Sequence, residues 1–192
     1  TAVEGLNGFC TQAALNKVGS ADDEKFVCEA KGDSYAWRKL DDVESEIGVC
    51  KGLVLKTFKE VSSSKRWYFC SDSGWIKVSV AEGHLGFCTK ENLNSWGAVK
   101  EDGKKYACEN SAGAYEWREF NDLENEIGYC YSGITDALFK KTSTDKYYGC
   151  LGGEWKEVSA TDFALNAVCS SALKGTFRKT SGNDWYYCAG SA

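Results

Sequence analysis

This chain of 192 residues has no methionine, no proline and a single histidine, His84. Without proline there are no rigid proline linkers, so the connections between segments are read as short. One histidine and no C-x2-4-C pair exclude a zinc framework. No apolar run reaches the 18 residues of a membrane span, and no signal-type leader is present. The chain starts at Thr1 without a methionine, the look of a processed or excised segment, so any export signal or anchor is expected outside it. It has no N-x-S/T sequon. Basic excess is also missing: 23 Lys and Arg stand against 28 Asp and Glu, a net charge of −5. With no basic stripe, nucleic acid is not an expected partner. There is no G-x-S-x-G, no H-E-x-x-H and no phosphate loop, so neither an enzyme nor a cofactor is expected.

What is present is cysteine at a regular beat: Cys10, Cys28, Cys50, Cys70, Cys88, Cys108, Cys130, Cys150, Cys169 and Cys188. Taken in consecutive pairs they enclose steps of 18, 20, 20, 20 and 19 residues. Each pair opens a unit of about 40 residues, the signature of a repeat architecture. A longer period of 80 residues lies on top: WRKLDDVESEIGVC at Trp37–Cys50 returns as WREFNDLENEIGYC at Trp117–Cys130. The organisation reads as repeats A1 (1–47), B1 (48–85), A2 (86–127), B2 (128–166) and a truncated B3 (167–192). Units this small need cross-links or neighbours to stay folded, and closing a 15–20-residue loop is worth roughly 3 kcal/mol. Even-numbered, regular cysteines therefore predict structural disulfides and an oxidising compartment, extracellular or at the cell surface. Pairing within units uses every cysteine at near-constant loop length. Pairing between units strands Cys10 and Cys188, so the first scheme is expected.

Within a unit, the residues before the second cysteine form a hairpin, best seen in GTFRKTSGNDWYYC (Gly175–Cys188). A glycine-containing break leads to a third strand, opened by Trp37, Trp75, Trp117 or Trp155. A short helix follows, announced by Asp41 with Glu44, Asn121 with Glu124 and Ser79 with Glu82, and stopped by Gly48, Gly128 and Gly86. The predicted class is small disulfide-rich β with minor α: three-stranded antiparallel meanders, each with a short helix, stacked in a tandem array.

Strand parity sorts the aromatics. Phe26, Tyr68, Tyr106, Tyr148 and Tyr186 share a face with the second cysteine and are expected inside, as are the four tryptophans that open third strands. The opposite face is expected to be wet. In the B repeats it carries Trp67, Phe69, Tyr147, Trp185 and Tyr187. These rings form a candidate platform for the apolar faces of sugars, with polysaccharide or another surface protein as partner. Burial of the same rings between repeats would instead make the chain a structural spacer or surface assembly module. A third reading is a secreted protease inhibitor that presents the loop KEVSSSKRW (Lys59–Trp67), cleavable at Lys65 or Arg66. The acidic segments Asp41, Asp42, Glu44, Glu46 and Asp122, Glu124, Glu126 read as solvated helix faces rather than calcium loops, since no D-x-D-x-D-G occurs. His84 is expected to be exposed, and Trp96 has no evident counterpart in the other repeats.

The motifs YFCSDSGW (Tyr68–Trp75), YYGCLGGEW (Tyr147–Trp155) and ENEIGYC (Glu124–Cys130) resemble the short cysteine repeats of secreted and surface proteins in fibre-degrading Fibrobacter-type bacteria. The resemblance covers nearly the whole chain. It implies an extracellular or envelope location, often in a multimodular setting; it does not imply an activity.

Overall fold

The structure is a computed structural model that describes residues 1–134 and 138–190. Residues 135–137 of the fourth repeat and 191–192 of the fifth lie outside the described residues. The fold is small, disulfide-rich and mostly β. Each repeat contributes one antiparallel sheet: β1 (Val18–Ala21), β2 (Glu24–Lys31) and β3 (Ser34–Lys39); β4 (Phe58–Val61), β5 (Arg66–Ser71) and β6 (Gly74–Val78); β7 (Trp96–Ala98), β8 (Lys105–Ser111) and β9 (Ala114–Glu119); β10 (Phe139–Lys141), β11 (Tyr147–Leu151) and β12 (Glu154–Val158); and the two-stranded β13 (Phe177–Lys179) and β14 (Trp185–Tyr187). Among the described residues five six-residue α-helices lie between or beside them: α1 (Ala2–Asn7), α2 (Asp42–Ile47), α3 (Val80–Leu85), α4 (Asp122–Ile127) and α5 (Ala160–Leu165). The chain divides into two compact units, Thr1–Phe87 and the residues from Cys88 onward.

All five disulfides close within repeats: Cys10–Cys28, Cys50–Cys70, Cys88–Cys108, Cys130–Cys150 and Cys169–Cys188, with Cα separations of 5.3–5.6 Å. Each second cysteine sits on, or directly after, the second strand of its hairpin, where the segment leading from the first cysteine bonds to it. Asn16 N–H donates to the Cys28 carbonyl, Lys56 to Cys70, Asn94 to Cys108 and Gly175 to Cys188. The residue making that bond is left-handed each time, with φ of 66°, 61°, 65° and 83°. Asparagine and glycine tolerate this region; a lysine pays for it.

Six residues are too few for a helix to persist alone, so capping and docking hold these. The predicted boxes form at Asp41/Glu44, Ser79/Glu82 and Asn121/Glu124, and a further one at Thr1/Glu4. Gly48, Gly86 and Gly128 end their helices with φ of 80–100°.

Helices and sheets alternate within each unit. In the first, α1 lies on the Cys28 face of its sheet, where Trp37 Nε1 donates to the Gly8 carbonyl and Asn7 Nδ2 to that of Ser20. On the other face of that sheet, Lys25 Nζ donates to Ser45 O in α2. The same α2 meets the Cys70 face of the next sheet through Trp75 Nε1 to Gly48 O and Lys59 Nζ to Ile47 O. Glu46 holds the backbone N–H and hydroxyl of Ser63 in the β4–β5 turn. Helix α3 then covers the far face of that sheet, against β4 and β5. In the second unit α4 plays the part of α2, with Lys105 Nζ to Asn125 O on one side and Trp155 Nε1 to Gly128 O on the other.

This alternation corrects the expected placement of solvent. The face opposite the cysteines is not simply wet: Val27 and Ala107 lie on it and are fully buried, while Val18 and Trp96 beside them are half exposed. The rings on the cysteine face, Phe26, Tyr68, Tyr106 and Tyr148, are only half-buried, and Tyr186 is exposed. Trp37, Trp75, Trp117 and Trp155 stand directly across from the second cysteine but are half-buried, not core. Alternation shows which side chains share a face; it does not show which face the following helix returns to cover.

Candidate functional site

The five platform residues separate into two groups. Trp67 lies against α3: a Cβ built on Gly83 would fall 2.3 Å from Trp67 Cδ2, and the indole and His84 rings are 4.5 Å apart. Phe69 joins a cluster with Phe58 at 4.9 Å and Phe87 at 4.8 Å. Tyr147 packs on Phe163 of α5 at 4.7 Å. These three rings are half-buried against the helix or segment that follows their own sheet, so they do not form an open platform. His84 is likewise half-buried on Trp67 rather than exposed. In the fifth repeat the matching face is bare. Trp185 is 65% exposed, Tyr187 57% and Phe177 66%, with the Phe177 and Tyr187 rings 4.9 Å apart and Lys179 Nζ over the indole.

Strand register explains how these faces are filled. Directly opposed pairs on the same face are Val18 with Val27, Phe58 with Phe69, Trp96 with Ala107, Phe139 with Gly149 and Phe177 with Tyr187. In two of the sheets a large ring is matched by a small partner: Trp96 by Ala107, Phe139 by Gly149. Opposed pairs are the packing unit of a sheet. Trp96 therefore has counterparts after all, at Val18, Phe58, Phe139 and Phe177, and its ring lies 5.8 Å from Phe120.

A second constellation occurs only in the A repeats. Arg38 donates from Nε and Nη2 to Glu29 on β2, from Nη1 and Nη2 to Glu44 on α2, and from Nη1 to the Lys39 carbonyl, at 2.7–3.3 Å. Arg118 repeats the pattern with Glu109, Glu124 and the Glu119 carbonyl at 2.7–2.8 Å. All five guanidinium N–H groups are matched in each case, the geometry that suits arginine and not lysine. Lys51 adds to Glu29, and the Tyr129 hydroxyl donates to Glu109. The bonds from Arg38 hold the Glu29 carboxyl down at about 2, and those from Arg38 and Arg118 lower Glu44 and Glu109. Burial, with the Glu109 charge beside it, pushes the Tyr129 phenol up.

An open cleft of about 680 Å³ runs past Glu109, Arg118, Glu124 and Tyr129. Its charges are spent on one another, Glu124 being buried, so they clasp sheet to helix rather than await a ligand. Glu44 and Glu124 are thus not solvated helix-face residues, as the sequence reading has them. The sequence held a signal: arginine follows the third-strand tryptophan only in WRKL and WREF, the two repeats with glutamate directly after the second cysteine. Glu46 and Glu126 hold the turns at Ser63 and Ser143. Among the described residues no group of three or more His, Cys, Asp or Glu could hold a metal ion. The segment Lys59–Trp67 is a β4–β5 hairpin whose turn is tied to α2 by Glu46.

No helix among the described residues is long and apolar enough to cross a membrane. Five disulfides belong to an oxidising compartment. Comparison with family models, curated proteins and solved structures finds no match to this chain.

Proposed function

We propose that this chain is a non-catalytic extracellular repeat protein acting as a disulfide-stapled spacer or surface assembly module. One observation carries the reading: Trp67, Phe69 and Tyr147 serve as packing between sheet and helix. The self-satisfied arginine clasps support it, since they lock sheet to helix with their own charges matched. The resemblance to repeats of secreted and surface proteins points the same way.

A second reading, binding of polysaccharide by stacked rings, is favoured by the exposure of Trp185, Tyr187 and Phe177 alone. Incubating the oxidised protein with insoluble cellulose, xylan and chitin separates the two. A spacer stays in the supernatant. Retention that disappears in Trp185→Ala would establish the sugar-binding reading for the fifth repeat.

A further inference from the structure

The two arginine clasps lie 80 residues apart, and each borders a cleft shared with the B repeat that follows it. Inside the first unit this cleft measures about 330 Å³ and reaches Lys51, Asp72 and Ser73. Inside the second it measures about 680 Å³, in the size range of small-molecule sites. Four exchanges at the same spacing separate the two places: Val49 becomes Tyr129, Lys51 becomes Tyr131, Asp72 becomes Gly152 and Ala30 becomes Asn110.

These exchanges alter what the cleft presents. In the first unit Lys51 Nζ donates to Glu29 at 2.9 Å; in the second the Tyr129 hydroxyl takes that place on Glu109 at 3.1 Å. Position 131 is thereby released from the clasp. The Tyr131 ring stacks on Tyr129 at 5.8 Å, and its hydroxyl makes no hydrogen bond among the described residues. Asn110 Oδ1 accepts from the Gly113 N–H, which leaves its Nδ2 hydrogens unused. The carboxamide of Asn94 is unbonded among the described residues as well. Opposite them, the β11–β12 turn brings only Gly152 and Gly153, and a Cβ on Gly153 would meet the Ser132 nitrogen at 2.8 Å.

Charge restricts the ligand. Glu109, Glu124 and Glu154 face Arg118 alone, so an anion is repelled. A cation finds Glu109 and Glu124 already held by Arg118, with Glu154 out on the rim at 77% exposure. What the cleft has open is neutral: one phenol hydroxyl and two carboxamides, groups that both donate and accept. We infer that the cleft between repeats A2 and B2 binds a short neutral saccharide, whose hydroxyls pair with Tyr131, Asn110 and Asn94 above the glycine turn. The site shares no residue with the rings of the fifth repeat. Few contacts in an open cleft give a Kd on the order of 1 mM, too weak to hold the protein on insoluble polysaccharide, so a spacer with this site still stays in the supernatant.

The test is a titration of the 15N-labelled, oxidised 192-residue protein with cellotriose, xylotriose, mannotriose and chitotriose, each to about 20 mM, read by amide chemical shifts. At least one is expected to give saturable shifts at Asn94, Asn110, Tyr131 and Gly152, with none at Lys51 and Asp72 in the cleft of the first unit. Tyr131→Phe, which keeps the stacked ring, and Asn110→Ala, which installs the residue of the first unit, should leave thermal unfolding unchanged. Each should weaken binding about fivefold, the worth of one hydrogen bond. Trigalacturonate, an anionic trisaccharide, should not bind. No saturable shift with any of the four neutral sugars would overturn the proposal. So would equal shifts in both clefts, an unchanged Kd in both variants, or trigalacturonate binding as tightly. Shifts centred on Trp185 and Tyr187 would overturn it too, and those alone would also count against the spacer reading.

Discussion

Replacing Gly83 with alanine measures how tightly Trp67 is covered. In an open helix this change is favourable, by about 1 kcal/mol of helix propensity. Here the new methyl would lie 2.3 Å from Cδ2, 2.4 Å from Cγ and 2.6 Å from Cε3 of the indole. Those are ring atoms near the root of the side chain, not a flexible tip. The ring cannot yield without leaving its seat beside His84. Overpacking of this kind costs about 1–3 kcal/mol, which outweighs the propensity gain, and the expected net loss is about 1 kcal/mol. Urea unfolding with disulfides intact, followed by tryptophan emission, reads it. Gly5→Ala is the internal control, because the same substitution there meets no atom within 4 Å and should stabilise slightly. Adding Trp67→Ala to Gly83→Ala should remove the overpacking cost and leave the propensity gain, so the two changes couple by about 2 kcal/mol. A Gly83→Ala protein at least as stable as the wild type would refute the packing described for α3.

Acid should weaken the first unit. The Glu29 carboxyl lies at about 2 in the folded chain against about 4.3 in a free glutamate. A carboxyl lowered by folding stabilises above its unfolded value, and that contribution is lost as pH falls from about 5 to about 2. The full gap corresponds to about 3 kcal/mol; screening at a site open to water reduces it to about 1–2 kcal/mol. Urea midpoints at several acidic pH values would show it, and an Arg38→Met protein should lose most of the dependence. Arg118→Lys should cost about 1–3 kcal/mol, because an ammonium cannot span Glu109, Glu124 and the Glu119 carbonyl together; thermal unfolding of the variant is the check. Lys56 holds a left-handed φ where two sibling repeats have asparagine, so Lys56→Asn should stabilise by about 0.5–1 kcal/mol, read by the same urea titration.

The cysteine spacing, hairpin turns and helix caps made the repeat legible, because each is a local rule written in adjacent residues. The disulfide partners, the box at Asn121/Glu124 and the stops at Gly48 and Gly128 all follow from such rules. The role of the aromatic face was not legible in the same way. Parity correctly put Trp67 with Phe69, but only the return path of α3 decides that Gly83 rather than water meets the indole. Trp96 seemed unique because its counterparts differ in size; the register groups it with Val18 and Phe139, where a strand partner of compensating volume hides the kinship. The arginine clasps could have been found by comparing repeats, since Arg38, Glu29 and Glu44 recur together as Arg118, Glu109 and Glu124. Read singly, each is an ordinary surface charge.

In repeats B1 and B2 the rings Trp67, Phe69 and Tyr147 are packing rather than platform. Acrylamide quenching of a Trp96→Phe/Trp185→Phe protein tests it most directly, because those changes remove the two exposed indoles. The five that remain, Trp67 among them, are half-buried. The expected slope is several-fold below that of the reduced, denatured chain, and it should not fall further when Trp67 is also replaced. A slope close to the denatured value, or one that drops sharply on losing Trp67, would show an open ring and contradict the account.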